Sequence, residues 1–382
     1  MSADTARSAR SMRLICVVGA RPNFMKIAPI MRALAARTGA VQTTLVHTGQ
    51  HYDVAMNDQF FRQLRIPAPD ISLEVGSGSH AVQTAEIMKA FEPVLDAVAP
   101  DAILVVGDVN STIACALVAA KRGVRVVHVE AGLRSRDRSM PEEINRILTD
   151  QLSDRLYVTE ADAIINLVSE GIAPNRIVFS GNVMIDTLFA SLTESTPAAT
   201  TLAGSDLDPS KPFGVVTLHR PSNVDDPLVL ARLLRVLSET STRLPLAFPI
   251  HPRTRERIAA AGLDATLELP SIAILPPLGY LEMLGLVRSA TVVLTDSGGL
   301  QEETTALGIP CLTLRMNTER PITIEQGTNR LVGTDPQAIE SGVSAAMAKP
   351  TATGHAPRPE GWDGHAADRI VDDLVAWLGV EA

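Results

Sequence analysis

The amino-acid sequence predicts an α/β protein made of two lobes, each a doubly wound parallel sheet. Short, continuous runs of Val, Ile and Leu without polar alternation suit strands that are covered on both faces. These runs alternate with longer stretches of helical periodicity, which is the rhythm of βαβ units. The alternation occurs twice, on either side of the Ser-, Thr- and Pro-rich stretch TESTPAATTLAGSDLDPSKP, in a chain of 382 residues that is too long for one ordinary core.

In the first half LICVVGA opens the sheet, MKIAPIMRALAAR follows as a helix, and TTLVHTG, AILVVGD, VRVVHVEAG, RLYVT and RIVFSG read as further strands. Between them EEINRILTDQL is helical, with Pro141 fitting its first turn, where a missing N–H costs nothing. The second half supplies strands in FGVVTLH, LAFPIH, IAILP, TVVLTDSGG and CLTLR, separated by the helices LVLARLLRVLSET, YLEMLGLVRS and GLQEETTALG. The boundary falls between Asp186 and Ser191, dividing the chain into residues 1–187 and 188–365. PTATGHAPRPEGWDG then reads as a loop, and ADRIVDDLVAWL, within residues 366–382, as a last helix able to pack on either lobe.

Composition narrows the partners. With 46% hydrophobic and 20% charged residues the chain is a folded globular protein, and 3% aromatic content leaves little to stack on nucleic-acid bases, so no nucleic acid is expected. The net charge of −9 means that an anionic substrate must be drawn by a local cluster of cations. Cys16, Cys115 and Cys311 stand singly in apolar runs, without disulfide or metal spacing, and read as buried reduced thiols of a cytoplasmic protein. The first apolar run is short and leads into Arg21-Pro22-Asn23 without a cleavage-like site, and no run reaches membrane-spanning length, so neither a signal peptide nor a membrane partner is expected.

The segment TDSGGLQEE, directly after the run TVVL, marks a nucleotide's phosphates. A helix that starts at Ser297, Gly298 and Gly299 points unpaired N–H groups and the positive end of its dipole at an anion. Glu303, four residues past Gly299, shares that helix face and suits a ribose diol. The segment reads equally well as an ordinary Ser-capped helix with acidic residues favoured by the dipole.

Open α/β sheets bind ligands at the carboxyl ends of their strands. Reactive types collect there: Arg21 and Lys26 after the first strand, Gly107-Asp108 after AILVV, Glu130 after RVVHV with Arg134 beyond it, His219 after VVTL, and His251 after LAFPI. Arg21, His219, Arg320 and the Ser297 terminus suit a diphosphate, while Asp108, Glu130 and Glu142 offer carboxylates for proton transfer. Glu142 serves equally as a simple complement to its helix dipole. His47 and His128, inside strand runs, read as satisfied core histidines. No GxGxxG follows the first strand, and the sequence contains no GxxxxGK[ST], HExxH, paired-cysteine or GxSxG motif, which disfavours hydride, P-loop, metal and serine-hydrolase chemistry.

GARPNFMKIAPI, TGQHYD, VVGDVNST, HVEAGLRS, MPEEINR, GNVMIDTL, LHRPSN, LTDSGGLQEE and TERPITIEQGTNRLVG follow one another from about residue 13 to about residue 335. In this order they resemble the non-hydrolysing UDP-N-acetylglucosamine 2-epimerases. The resemblance implies the GT-B arrangement of two Rossmann-like domains facing across a cleft, with the last helix returning to the first domain. It implies an isomerase that interconverts UDP-N-acetylglucosamine and UDP-N-acetylmannosamine without cofactor or metal, as a cytoplasmic homodimer. The epimerised carbon is not adjacent to a carbonyl, so no stabilised enolate can form. Elimination of UDP to 2-acetamidoglucal and re-addition from the other face is the available route.

By matching motif positions, the resemblance puts Asp108, Glu130, Glu142, His219 and Lys26 at the chemistry. Arg21, Ser297, Gly298, Gly299 and Arg320 would hold phosphates or sugar, Glu303 the ribose, and Leu278 (through its backbone) and Met283 the uracil. A regulatory UDP-N-acetylglucosamine site would involve Gln50, His51 and His251. Near it the chain departs from many bacterial relatives, with Asn23 for Glu and His51-Tyr52-Asp53-Val54 for His-Arg-Glu-Met. Other readings remain open: the 2-epimerase of a UDP-diacetamido uronic acid, a hydrolysing 2-epimerase, a GT-B glycosyltransferase, and a nucleotide-sugar-binding module.

Overall fold

The computed structural model describes residues 11–37, 41–49, 61–348 and 358–380. They form two compact units, one from residues 1–187 and 365–382 and the other from residues 188–364.

The first unit is built on a parallel sheet of seven strands: β1 (Met12–Val18), β2 (Val41–His47), β3 (Ile71–Ser72), β4 (Ala102–Val106), β5 (Arg125–Ala131), β6 (Arg155–Val158) and β7 (Ile177–Phe179). Their spatial order is β3-β2-β1-β4-β5-β6-β7. Every residue of β4 is buried, as its uninterrupted apolar sequence demands, and each such Val, Leu or Ile contributes roughly 1.5–3 kcal/mol relative to exposure. Helices α1 (Arg21–Ala36), α2 (His80–Val98), α3 (Asn110–Lys121), α4 (Pro141–Leu152) and α5 (Ala161–Ser169) connect the strands, and α6 (Val183–Ser191) follows β7 across the boundary at residue 187. Strand order reverses between β1 and β4, so the topological switch point lies where Gly19 and Asp108 leave the sheet.

The second unit repeats the plan with β8 (Gly214–Thr217), β9 (Leu246–Pro249), β10 (Ile272–Leu275), β11 (Val292–Thr295), β12 (Cys311–Thr313) and β13 (Asn329–Leu331). These lie in the order β10-β9-β8-β11-β12-β13. Its main helices are α7 (Pro227–Ser241), α8 (Pro252–Ala260), α9 (Tyr280–Ser289), α10 (Gly298–Leu307) and α11 (Pro336–Ala348). Here the switch point lies between β8 and β11, where His219 and Ser297 follow their strands. The Ser/Thr/Pro-rich stretch belongs wholly to this unit and contains a one-turn helix, Ala198–Thr201.

The last helix, α12 (Ala366–Val380), belongs to the first unit and packs on α1. Asp186 anchors its start, accepting hydrogen bonds from the backbone N–H of Ala366 (3.1 Å) and Ala367 (2.7 Å). Further along, Asp373 takes the Arg155 guanidinium and the Tyr157 hydroxyl, the latter at 2.8 Å. Among the described residues no helix is long and apolar enough to cross a membrane.

Candidate active site

In the first unit the reactive groups converge on the ends of β1, β4 and β5. Lys26, one turn into α1, forms an ion pair with Glu130, and both side chains are buried. Its ammonium also lies against Gly107: a Cβ at that glycine would stand 2.8 Å from Lys26 Nζ, and the backbone there has φ +65°. Glycine is thus required on both counts. Glu130 itself sits in the left-handed region at φ +71°, where the pairing of β5 with β6 shifts register between Val129 and Ala131. A non-glycine residue there costs on the order of 1–3 kcal/mol and is retained at sites that need the side chain re-aimed.

Asp108 is held from α4. Arg146 donates to Asp108 Oδ2 from Nε (3.1 Å) and from its terminal nitrogen, while Asn145 Nδ2 donates to the Asp108 carbonyl at 2.9 Å. The same arginine pairs with Glu143 at 3.0 Å. Glu143 also accepts from Ser135 N (2.9 Å), Ser135 Oγ (3.0 Å) and Arg136 N (2.8 Å), so it fastens the loop that follows β5. Its neighbour Glu142, in the first turn of α4, makes no hydrogen bond or ion pair among the described residues and remains partly exposed. Adjacent glutamates thus differ: Glu143 is committed to holding the loop, and the Glu142 carboxylate has no such partner among the described residues.

In the second unit α10 begins directly after β11 with no side-chain cap on its first-turn N–H groups. The Ser297 N–H is itself bonded back to Thr295 Oγ1 at 2.9 Å. Asp296 is buried and accepts from His219 Nδ1 (2.8 Å) and from the backbone N–H of His219 (3.0 Å) and Arg220 (2.9 Å). Burial pushes its carboxyl up, but the His219 and backbone hydrogen bonds outweigh that and hold it below the ordinary value. The His219 ring is thereby oriented, with a side chain 38% exposed.

Close to this helix terminus, Glu319 gathers cations. It pairs with Arg315 at 2.9 Å and Arg220 at 3.4 Å, and a Cβ on Gly298 would lie 2.9 Å from its Oε1. Burial raises the Glu319 carboxyl, and Arg315, Arg320 and Arg220 more than reverse the shift. Arg320 is turned onto Glu302 at 2.8 Å. Glu303 is buried beside Tyr280, whose hydroxyl is pushed well up by burial and then by that carboxylate, so it stays a proton donor. Leu278 and Met283 are half-buried against the apolar cluster of Leu286, Val293 and Leu300.

The structure therefore groups Lys26, Glu130, Asp108 and Glu142 in the first unit, and His219, Ser297, Gly298, Gly299, Glu303 and Arg320 in the second. His251, which caps α8, has its ring 5.8 Å from that of His219. Gln50, His51 and the Arg21 side chain lie outside the described residues. Sequence reasoning missed Arg146, Asn145, Asp296 and Glu319, the groups that hold the reactive side chains. Spacing in MPEEINR offered only the local pair of Glu143 with Arg146, three apart on one helix face, and gave no sign of the contact with Asp108.

A family model described as UDP-N-acetylglucosamine 2-epimerase matches residues 32–375. A UDP-N-acetylglucosamine 2-epimerase of Methanococcus maripaludis is 40% identical over 328 residues, covering 85% of this chain and 88% of the relative. A UDP-2,3-diacetamido-2,3-dideoxy-D-glucuronate 2-epimerase of Pseudomonas aeruginosa is 40% identical over 342 residues, covering 88% of this chain and 93% of the relative. The crystal structure of the Methanocaldococcus jannaschii UDP-GlcNAc 2-epimerase, in complex with UDP-GlcNAc and UDP, superposes with a TM-score of 0.85 at 39% identity, covering 96% of this chain and 100% of that one.

Proposed function

The chain belongs to the UDP-N-acetylglucosamine 2-epimerase family, and on that footing we propose that it interconverts UDP-N-acetylglucosamine and UDP-N-acetylmannosamine. The reaction breaks the bond between the anomeric carbon and the diphosphate oxygen and removes the proton from the second carbon, giving 2-acetamidoglucal and UDP. Return of a proton to the opposite face and re-formation of the glycosyl bond give the epimer. The balance closes without redox change.

The observation that carries this reading is the chemistry of the two switch points. Beside one stand carboxylates, Asp108 and Glu130 held by cations and Glu142 without a hydrogen bond or ion pair among the described residues; the other presents an uncapped helix start beside an oriented His219. Asp108, Glu130 and Glu142, with Lys26, would move the proton, each positioned acid or base supplying about 10²- to 10⁴-fold. The Ser297 hydroxyl and the N–H groups of Gly298 and Gly299 would hold the departing diphosphate with His219, and Arg21 and Arg320 would assist. For Arg320 this means exchanging Glu302 for phosphate. Glu303 would take the ribose diol, Leu278 and Met283 the uracil, and His251 with Gln50 and His51 a regulatory nucleotide sugar.

The Pseudomonas relative favours a second reading, in which the sugar is a diacetamido uronic acid. Incubation with both UDP-sugars, followed by separation of products, tests the two. UDP-N-acetylmannosamine as product supports the first reading, conversion of the uronate alone selects the second, and free N-acetylmannosamine with UDP would overturn non-hydrolysing action. A cytoplasmic homodimer is part of the proposal. Three buried free thiols suit a reducing compartment, and the exposed Ile144 and Leu148, one turn apart on α4, suit a covered face. Sedimentation of the purified protein tests the dimer.

A further inference from the structure

We infer that His128 and Asp150 form a buried clamp that fixes the backbone bearing both Asp108 and Glu130, making His128 a positioning residue for the proton transfer. The inference rests on the proposed reaction for its kinetic readout. Both side chains are wholly buried. His128 Nε2 lies 2.8 Å from the carbonyl oxygen of Gly107, the residue before Asp108, and Nδ1 lies 2.7 Å from Asp150 Oδ1.

A carbonyl can only accept, so Nε2 donates. Asp150 also accepts from the Gly132 N–H at 3.1 Å and pairs with Arg134 at 2.8 Å, both through Oδ2, which leaves Oδ1 to the His128 Nδ1 contact. Arg134 is in turn held by Glu170, at 2.9 Å and 2.5 Å.

The clamp therefore has two jaws. Through His128 it holds Gly107 (φ +65°), and directly it holds Gly132 (φ +79°), two residues past Glu130 (φ +71°). Glu130 is strained in that left-handed region, and the glycines on either side, which adopt it freely, leave the loops with conformational freedom that the clamp restrains. Asp150 lies one turn beyond Arg146 on α4, the helix that also grips the Asp108 side chain and carbonyl. A single helix thus sets the separation of two carboxylates that serve one carbon.

Two substitutions separate positioning from mere charge pairing. The Asn amide nitrogen can replace Nδ1 and keep the Asp150 bond while losing Gly107; the Gln nitrogen can replace Nε2 and keep Gly107 while losing Asp150. His128→Asn should lower kcat by about 10²-fold with KM and UDP affinity unchanged, because small displacements of reacting groups carry penalties of that order. His128→Gln should keep most of the turnover. Hydrogen–deuterium exchange should quicken at Gly107 and Asp108 in His128→Asn only.

Equal turnover in the two variants, or a slower His128→Gln, would overturn the clamp, as would unchanged exchange. If neither variant folds, NMR of the wild-type protein labelled with ¹⁵N-histidine decides: a proton on Nε2 of His128 is expected, and an Nε2 without its proton would contradict it. Should the wild-type protein turn over no UDP-sugar, the proposed function falls while the exchange and NMR measurements still judge the clamp.

Discussion

Lys26 and Glu130 form an ion pair whose side chains are only 8% and 4% exposed. Removing one partner of such a pair strands a buried charge at a cost of about 3–5 kcal/mol, whereas replacing both is far milder. Lys26→Met should therefore lower thermal stability sharply, and the double variant Lys26→Met/Glu130→Met should recover much of it. Turnover should be absent from the double variant despite its recovered stability, because restored packing does not restore the carboxylate. Melting curves beside kcat measurements check this, and an active double variant would remove Glu130 from the chemistry.

Glu142 and Glu143 should respond in opposite ways. Glu142→Gln should leave the melting temperature unchanged and reduce kcat by about 10²- to 10⁴-fold, since that carboxylate has no structural partner among the described residues. Glu143→Gln should lower stability by about 1–3 kcal/mol, because it weakens four interactions with Ser135, Arg136 and Arg146. Denaturant titration of both proteins distinguishes them.

Asp296 ties part of the stability to pH. Its carboxyl is held below the ordinary value in the folded protein, so its contribution is fully present above the unfolded-chain value of about 4 and is lost as pH falls through the lower folded value. The stability gap between wild type and Asp296→Asn should be constant from about pH 6 to pH 8 and close below about pH 4. Urea unfolding at several pH values measures it.

The thiols should be inert in the native state. Burial pushes Cys16 up to about 12 and Cys311 to about 11, and raises Cys115 further. A maleimide at pH 8 should label none of the three at a rate above global unfolding, and all three in denaturant.

The inner strands of both sheets were legible in the sequence because buried parallel strands are written mostly in Val, Ile and Leu, as β4 and β11 are, whereas the short, partly exposed edge strands β3 and β13 carry no such run and were not. Helix α2 was not, although Ser79 caps it, because Pro93 interrupts the stripe of Ile87, Phe91 and Leu95 that marks its buried face. Asp108 and His219 could be singled out because they follow strands at the reversals of their sheets, and Glu130 because it closes the apolar run RVVHV near the end of β5. Their partners Arg146 and Asp296 could not be, because burial and pairing decide their roles, and spacing along the chain records neither. The assignment of Arg320 to phosphate meets a buried ion pair with Glu302, which no linear pattern announced.

Epimerisation by elimination and re-addition requires a proton to leave and return at the second carbon of the sugar. Turnover of UDP-N-acetylglucosamine in D₂O, followed by ¹H NMR, tests it most directly. Deuterium should enter that position in the product and, through the reverse reaction, in the recovered substrate. Formation of UDP-N-acetylmannosamine that keeps its original hydrogen there would contradict elimination and re-addition.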